Sequence, residues 1–171
     1  MGLDFTIYKK KVNETYEQAW DAINKELRES GYTTTSEREL AYGRKSWELV
    51  YELAPDYQEY FDSKEDPLVS KERWDSLMTK SSEIAPKLDK IWDAFNKEEN
   101  APTDYTEFVF GDEEKRLIAE YEYWYNKTFD TEPTLGYFFS VGYIKNFWDA
   151  NPEVQKVFED PKWEVRASVS Y

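Results

Sequence analysis

The chain opens and closes on the same pattern. Leu3, Phe5 and Ile7 alternate with Asp4, Thr6 and Tyr8, the two-residue period of a strand with one buried face. At the far end Trp163, Val165, Ala167, Val169 and Tyr171 alternate with Glu164, Arg166, Ser168 and Ser170. The two patterns predict terminal strands that share one small sheet, where they can lie as neighbours.

Between them the period is helical. Asn13 stands at an N-cap position before the stripe Tyr16, Ala19, Trp20, Ile23 and Leu27, and Gly31 is a natural stop. Ser36 and Glu39 have capping-box spacing and predict a second helix through Leu40, Trp47, Val50 and Tyr51, which Pro55 stops or restarts. Ser70 opens a third segment through Trp74, Leu77 and Met78, and Pro86 divides it from a fourth with Leu88, Ile91, Trp92 and Phe95. Asn100 to Thr103 reads as a turn. From Asp112 to Lys127 the residues Leu117, Ile118, Tyr121, Trp124 and Tyr125 again have helical spacing. Leu135 to Trp148 stays open, because Tyr137-Phe138-Phe139 suits a buried strand while Tyr143, Ile144, Phe147 and Trp148 suit a helix. There is no internal repeat and no low-complexity linker. The expected fold is α+β: a mainly helical single domain over residues 1–171 with a small sheet formed by the terminal strands.

Composition narrows the chemistry. The chain has 7 Trp, 14 Tyr and 10 Phe, a net charge of −14, and neither His nor Cys. Its 18% aromatic content opposes the disorder that such charge would otherwise favour. Without His or Cys there is no imidazole base, thiolate nucleophile, disulfide or soft metal site. No catalytic residue, cofactor or metal ligand is therefore assigned, and the chain is not expected to be an enzyme. The start reaches Asp4 and Lys9-Lys10-Lys11 before any apolar signal core forms, and no apolar run approaches the roughly 20 residues of a membrane span. The expected setting is cytoplasmic, with no membrane partner. In that setting the Asn13–Thr15 and Asn126–Thr128 acceptor patterns have no consequence.

The acidity is concentrated. Residues 48–66 hold seven acids and one base, and residues 93–122 hold ten acids and three bases, whereas residues 1–47 are neutral. Glu48, Glu52, Asp56, Glu59 and Asp62 are spaced four, four, three and three. On one continuous helix their carboxylates would form a ridge with steps of about 5–6 Å, similar to successive phosphates along a nucleic-acid strand. Such a ridge suits a Lys/Arg-lined groove and repels nucleic acid itself. Pro55 is the weak point of such a ridge, since it can bend it, and the bland alternative is a solvated helix face. In the second window Glu113, Glu114, Glu120 and Tyr123 are candidate partner contacts: helical spacing sets Tyr123 apart from Tyr121, Trp124 and Tyr125, which suit a core.

Other motifs carry less. Gly43-Arg44-Lys45-Ser46 fails as a phosphate loop, since Arg38 occupies its first glycine position and Arg44 follows Gly43. No calcium-loop pattern is present, and Asp112-Glu113-Glu114 suits a helix N-terminus.

Four segments, Met1-Gly2-Leu3-Asp4, Glu39-Leu40-Ala41-Tyr42-Gly43-Arg44-Lys45, Val69-Ser70-Lys71-Glu72 and Leu135-Gly136-Tyr137-Phe138-Phe139, together resemble a widespread group of small, uncharacterised phage and prophage proteins. That group typically carries Tyr-Trp-Arg-Lys followed by a histidine near an aromatic pair; here Gly43 replaces the Trp, and Val50 and Glu52 stand at the later positions. The resemblance implies an accessory phage protein, a setting in which acidic anti-CRISPR and anti-restriction proteins counter host defence by nucleic-acid mimicry. The expected function is binding and inhibition of a basic, nucleic-acid-binding host protein. Two alternatives remain: a small-ligand or nucleotide-signal binder with an aromatic pocket near Tyr137 to Trp148, and a carboxylate- and metal-dependent hydrolase. The oligomeric state is open.

Overall fold

The computed structural model describes residues 3–44, 47–82 and 135–170, with Pro86 and Asp112 between them. Strand β1 (Asp4–Lys11) leads to helix α1 (Tyr16–Glu29), strand β2 (Glu39–Arg44), helix α2 (Trp47–Leu53) and a single 3-10 turn (Tyr57–Tyr60). Helix α3 (Lys71–Ser81), helix α4 (Leu135–Glu159) and strand β3 (Trp163–Ser170) complete the described elements. The sheet is antiparallel with order β2-β1-β3. Both terminal strands lie in it as neighbours, from Asp4 opposite Ser170 to Lys11 opposite Trp163, so the α+β expectation holds.

Alternation decides what each face of the sheet carries. Phe5, Ile7, Ala41, Val165 and Ala167 are buried in the main core together with Leu49, Leu53, Trp74, Leu77 and Val154. Phe147 of α4 enters that core, with its ring 6.0 Å from Phe5 and 6.1 Å from Trp74. Gly43 makes room for it: a Cβ there would stand 3.2 Å from a Phe147 ring carbon. The Trp74 indole donates to Asn151 Oδ1 at 2.6 Å, which ties α3 to α4 where the ring is otherwise wholly buried. The outer edge of β3 is covered by residues 67–69, through Val69 N–H to the Val165 carbonyl and Ala167 N–H to the Pro67 carbonyl.

Several expectations change. Thr15, not Asn13, caps α1: its hydroxyl accepts the Gln18 N–H at 3.1 Å while the Gln18 side chain accepts the Thr15 N–H at 2.8 Å. Residues 39–44, predicted as helix, are β2. The Ser36–Glu39 pair does not act as a capping box, because the Ser36 hydroxyl donates to Glu26 of α1 and accepts the Arg38 N–H. The helix begins only at Trp47. Ser70 does cap α3, accepting the Arg73 N–H at 3.2 Å. Leu135 to Trp148 is the first part of α4, not a strand. The fourth segment with Leu88, Ile91, Trp92 and Phe95, the turn at residues 100–103 and the helical stretch with Tyr121, Trp124 and Tyr125 lie outside the described residues.

Two stability outcomes follow from this packing. Phe147→Ala should cost about 3–5 kcal/mol, because it empties the space shared by Phe5, Trp74 and Gly43. Deleting residues 163–171 should abolish the cooperative thermal transition, since it unpairs β1 along its length and uncovers buried Val165 and Ala167. Circular dichroism melting checks both, and an unchanged melting temperature for the truncation would remove β3 from the fold's framework.

Candidate interaction surface

The acidic residues of the first window share a short stretch of chain but not a helix. Leu53 and Ala54 are buried at the end of α2, and Pro55 has no N–H to continue the helix onto the Tyr51 carbonyl. The chain turns there and resumes as the 3-10 turn, in which the Tyr57 N–H reaches the Ala54 carbonyl at 3.1 Å. The expected continuous ridge is therefore corrected to two segments. Glu48 and Glu52 belong to α2, the side chain of Glu48 lying outside the described residues; Asp56, Glu59 and Asp62 lie before, in and after the 3-10 turn. Glu59 and Asp62 are exposed, whereas Glu52 and Asp56 are half-buried.

The same segment carries aromatic rings interleaved in sequence with the acids. Buried Tyr57 packs against Tyr51 at 6.3 Å and against Phe61 edge-on at 5.6 Å. Tyr51 is 56% exposed and Phe61 50% exposed. Acidic groups beside half-open rings suit the guanidinium and ammonium groups of a basic surface, which gain both ion pairing and contact with a ring face. Sequence spacing alone missed the Tyr51–Tyr57 contact, because six residues on a continuous helix would have set those two rings on different faces.

One acid of this window is spent inside the protein. Asp66 Oδ2 accepts the Tyr8 hydroxyl at 2.7 Å, Tyr16 and the Trp20 indole face the same carboxylate, and the Asp66 carbonyl accepts Arg166 at 2.7 Å. The cluster joins β1, α1, the loop before residue 67 and β3. Burial raises the Asp66 pKa above its ordinary 3.8, a rise only partly offset by the donated hydrogen bonds and Arg166. Burial and the neighbouring carboxylate also push the Tyr8 and Tyr16 hydroxyls up, so both remain donors at neutral pH. Nearby, Glu164 pairs with Lys10 and Arg166, each at 3.0 Å. These partners outweigh its desolvation and hold its pKa below the usual value.

The remaining assignments separate. Glu113, Glu114, Glu120 and Tyr123 lie outside the described residues. Of the expected aromatic pocket, Phe147 is fully buried core and Trp148 is packed against that core. Among the described residues no group of three or more carboxylates converges in a way that holds a metal ion, and no helix is long and apolar enough to cross a membrane. The chain matches no protein-family model, no curated protein and no solved structure.

The Asp66 cluster makes stability depend on pH with a definite sign. A raised folded-state pKa means that the folded protein holds this proton more tightly than the unfolded chain does. Its contribution is complete below 3.8 and is lost as pH rises through the raised value. Asp66→Asn cannot titrate, so the stability of the natural protein relative to this variant should fall as pH rises from below 3.8 through the raised value. Parallel denaturation curves across that range would contradict the assignment. Tyr8→Phe should cost about 1–3 kcal/mol, because it leaves the buried Asp66 carboxyl group short of a hydrogen-bond partner; denaturant titration checks it.

Proposed function

We propose that this is a phage-type accessory protein that acts in the host cytoplasm by binding and inhibiting a basic, nucleic-acid-binding host protein. The observation that carries the reading is the segment of residues 51–62, where Glu52, Asp56, Glu59 and Asp62 are interleaved in sequence with the half-exposed rings of Tyr51 and Phe61. The net charge of −14 supports it, since such a field steers basic proteins inward and repels free nucleic acid. Its segmented course fits recognition of Lys and Arg side chains one by one better than imitation of a regular phosphate ladder. The protein works by occupying a site and not by turnover.

The test compares Glu52→Gln/Asp56→Asn/Glu59→Gln/Asp62→Asn with four neutralisations elsewhere, at exposed Asp21, Glu29, Glu72 and Glu159. Both proteins should fold. The natural protein should capture a basic protein from host lysate and displace nucleic acid from it. The first variant should lose at least about tenfold in affinity and show a weaker salt dependence, while the second keeps most of both. Equal losses would mean that only overall charge matters; capture without displacement of nucleic acid would overturn inhibition by site occupancy.

A further inference from the structure

At the end of the sheet where β1 finishes and β3 begins, basic side chains gather around one aromatic ring, with carboxylates of Glu14, Glu153 and Asp160 nearby. The Trp163 ring has Lys9 Nζ at 4.6 Å, Arg38 Cζ at 5.3 Å and Lys11 Nζ at 5.7 Å from its centroid. Lys162 adjoins it in sequence. Arg38 is neutralised by Glu14, with which it forms an ion pair that is almost wholly buried. Lys11 acts on the Glu14 carboxylate and Lys9 on Glu153 at longer range, but neither they nor Lys162 make a direct salt bridge with a described carboxylate. A groove of about 660 Å³ opens at this point, lined by Lys11, Val12, Asn13, Asp160, Pro161, Lys162 and Trp163.

We propose that this groove is a binding site for a small phosphate-bearing molecule with a flat ring. Lys11 and Lys162 supply two ammonium groups, the form of charge that meets a phosphate dianion as a point contact. Asn13 adds an amide donor. The one carboxylate in the lining, Asp160, already accepts the Lys162 backbone N–H at 3.0 Å. Trp163, Pro161 and the 56%-exposed Val12 supply an apolar wall for the ring. A long polyanion is disfavoured, because it would extend beyond this basic end into the field of a chain with net charge −14. A small anion avoids that, since charges more than about 8 Å away are screened at physiological salt. The site is separate from the surface of residues 51–62 and does not depend on its role.

Phenyl phosphate is the probe, titrated at physiological salt while the Trp163 indole resonance is followed by NMR; Trp163→Phe assigns that resonance. A saturable shift is expected, with inorganic phosphate binding more weakly and benzyl alcohol giving no shift. Lys11→Gln/Lys162→Gln should weaken phenyl phosphate by about tenfold or more without changing the melting temperature. Lys162→Gln alone, at an exposed position, should show a smaller loss and carries the test if the double variant melts early. The proposal is overturned if Trp163 shows no saturable shift or if the lysine variants bind as the natural protein does. It is equally overturned if benzyl alcohol shifts Trp163 as strongly as phenyl phosphate, or if inorganic phosphate binds as tightly.

Discussion

Everything described in this molecule depends on the position of β1 in the middle of its sheet. One edge of the strand is paired to β2 and the other to β3, so its backbone is satisfied only when segments from both ends of the chain have come together. One face places Phe5 and Ile7 under α4, and the other buries Tyr8 and Lys10. Lys10 is tolerated there because its ammonium group reaches both Glu164 and the Lys11 carbonyl. The opening strand thus organises an apolar core on one side and a polar cluster on the other.

The polar cluster determines how the acidic window is presented. Because Asp66 is drawn in by Tyr8, Tyr16 and Arg166, the chain that leaves α2 is anchored at its far end, and residues 67–69 then run along β3. The segment between α2 and that anchor has to turn, and Pro55 places the turn. The outcome is a turned segment of acids and rings instead of a straight helical ridge, which is why the proposed recognition is a set of individual contacts and not a repeated phosphate mimic.

The parts of the fold that were legible in the sequence are those whose signal is local. Alternation revealed β1 and β3, and Ser70 announced α3. Strand β2 was hidden for a physical reason: its buried face carries Ala41 and Gly43, the smallest residues available, because the Phe147 ring fills the space above them. The larger Leu40 and Tyr42 therefore lie on the less buried side, and the hydrophobic signal of the strand is inverted. The same packing gives meaning to Gly43, since even a Cβ at this position would crowd Phe147. The four acids from Glu52 to Asp62 were legible as a cluster, but their arrangement was not, because spacing cannot show where a helix ends. The gathering of basic side chains around Trp163 was also hidden: it brings together residues 9, 11, 38 and 163, which only the paired strands make neighbours.

The central claim is that residues 51–62 are the surface through which this protein meets its partner. Amide hydrogen exchange, measured on the protein alone and in complex with the basic protein captured from host lysate, tests it most directly. Exchange should slow across residues 51–62 on binding, while β1 and β3, already protected by their pairing, stay unchanged. Unaltered exchange over residues 51–62 in a stable complex would contradict the account.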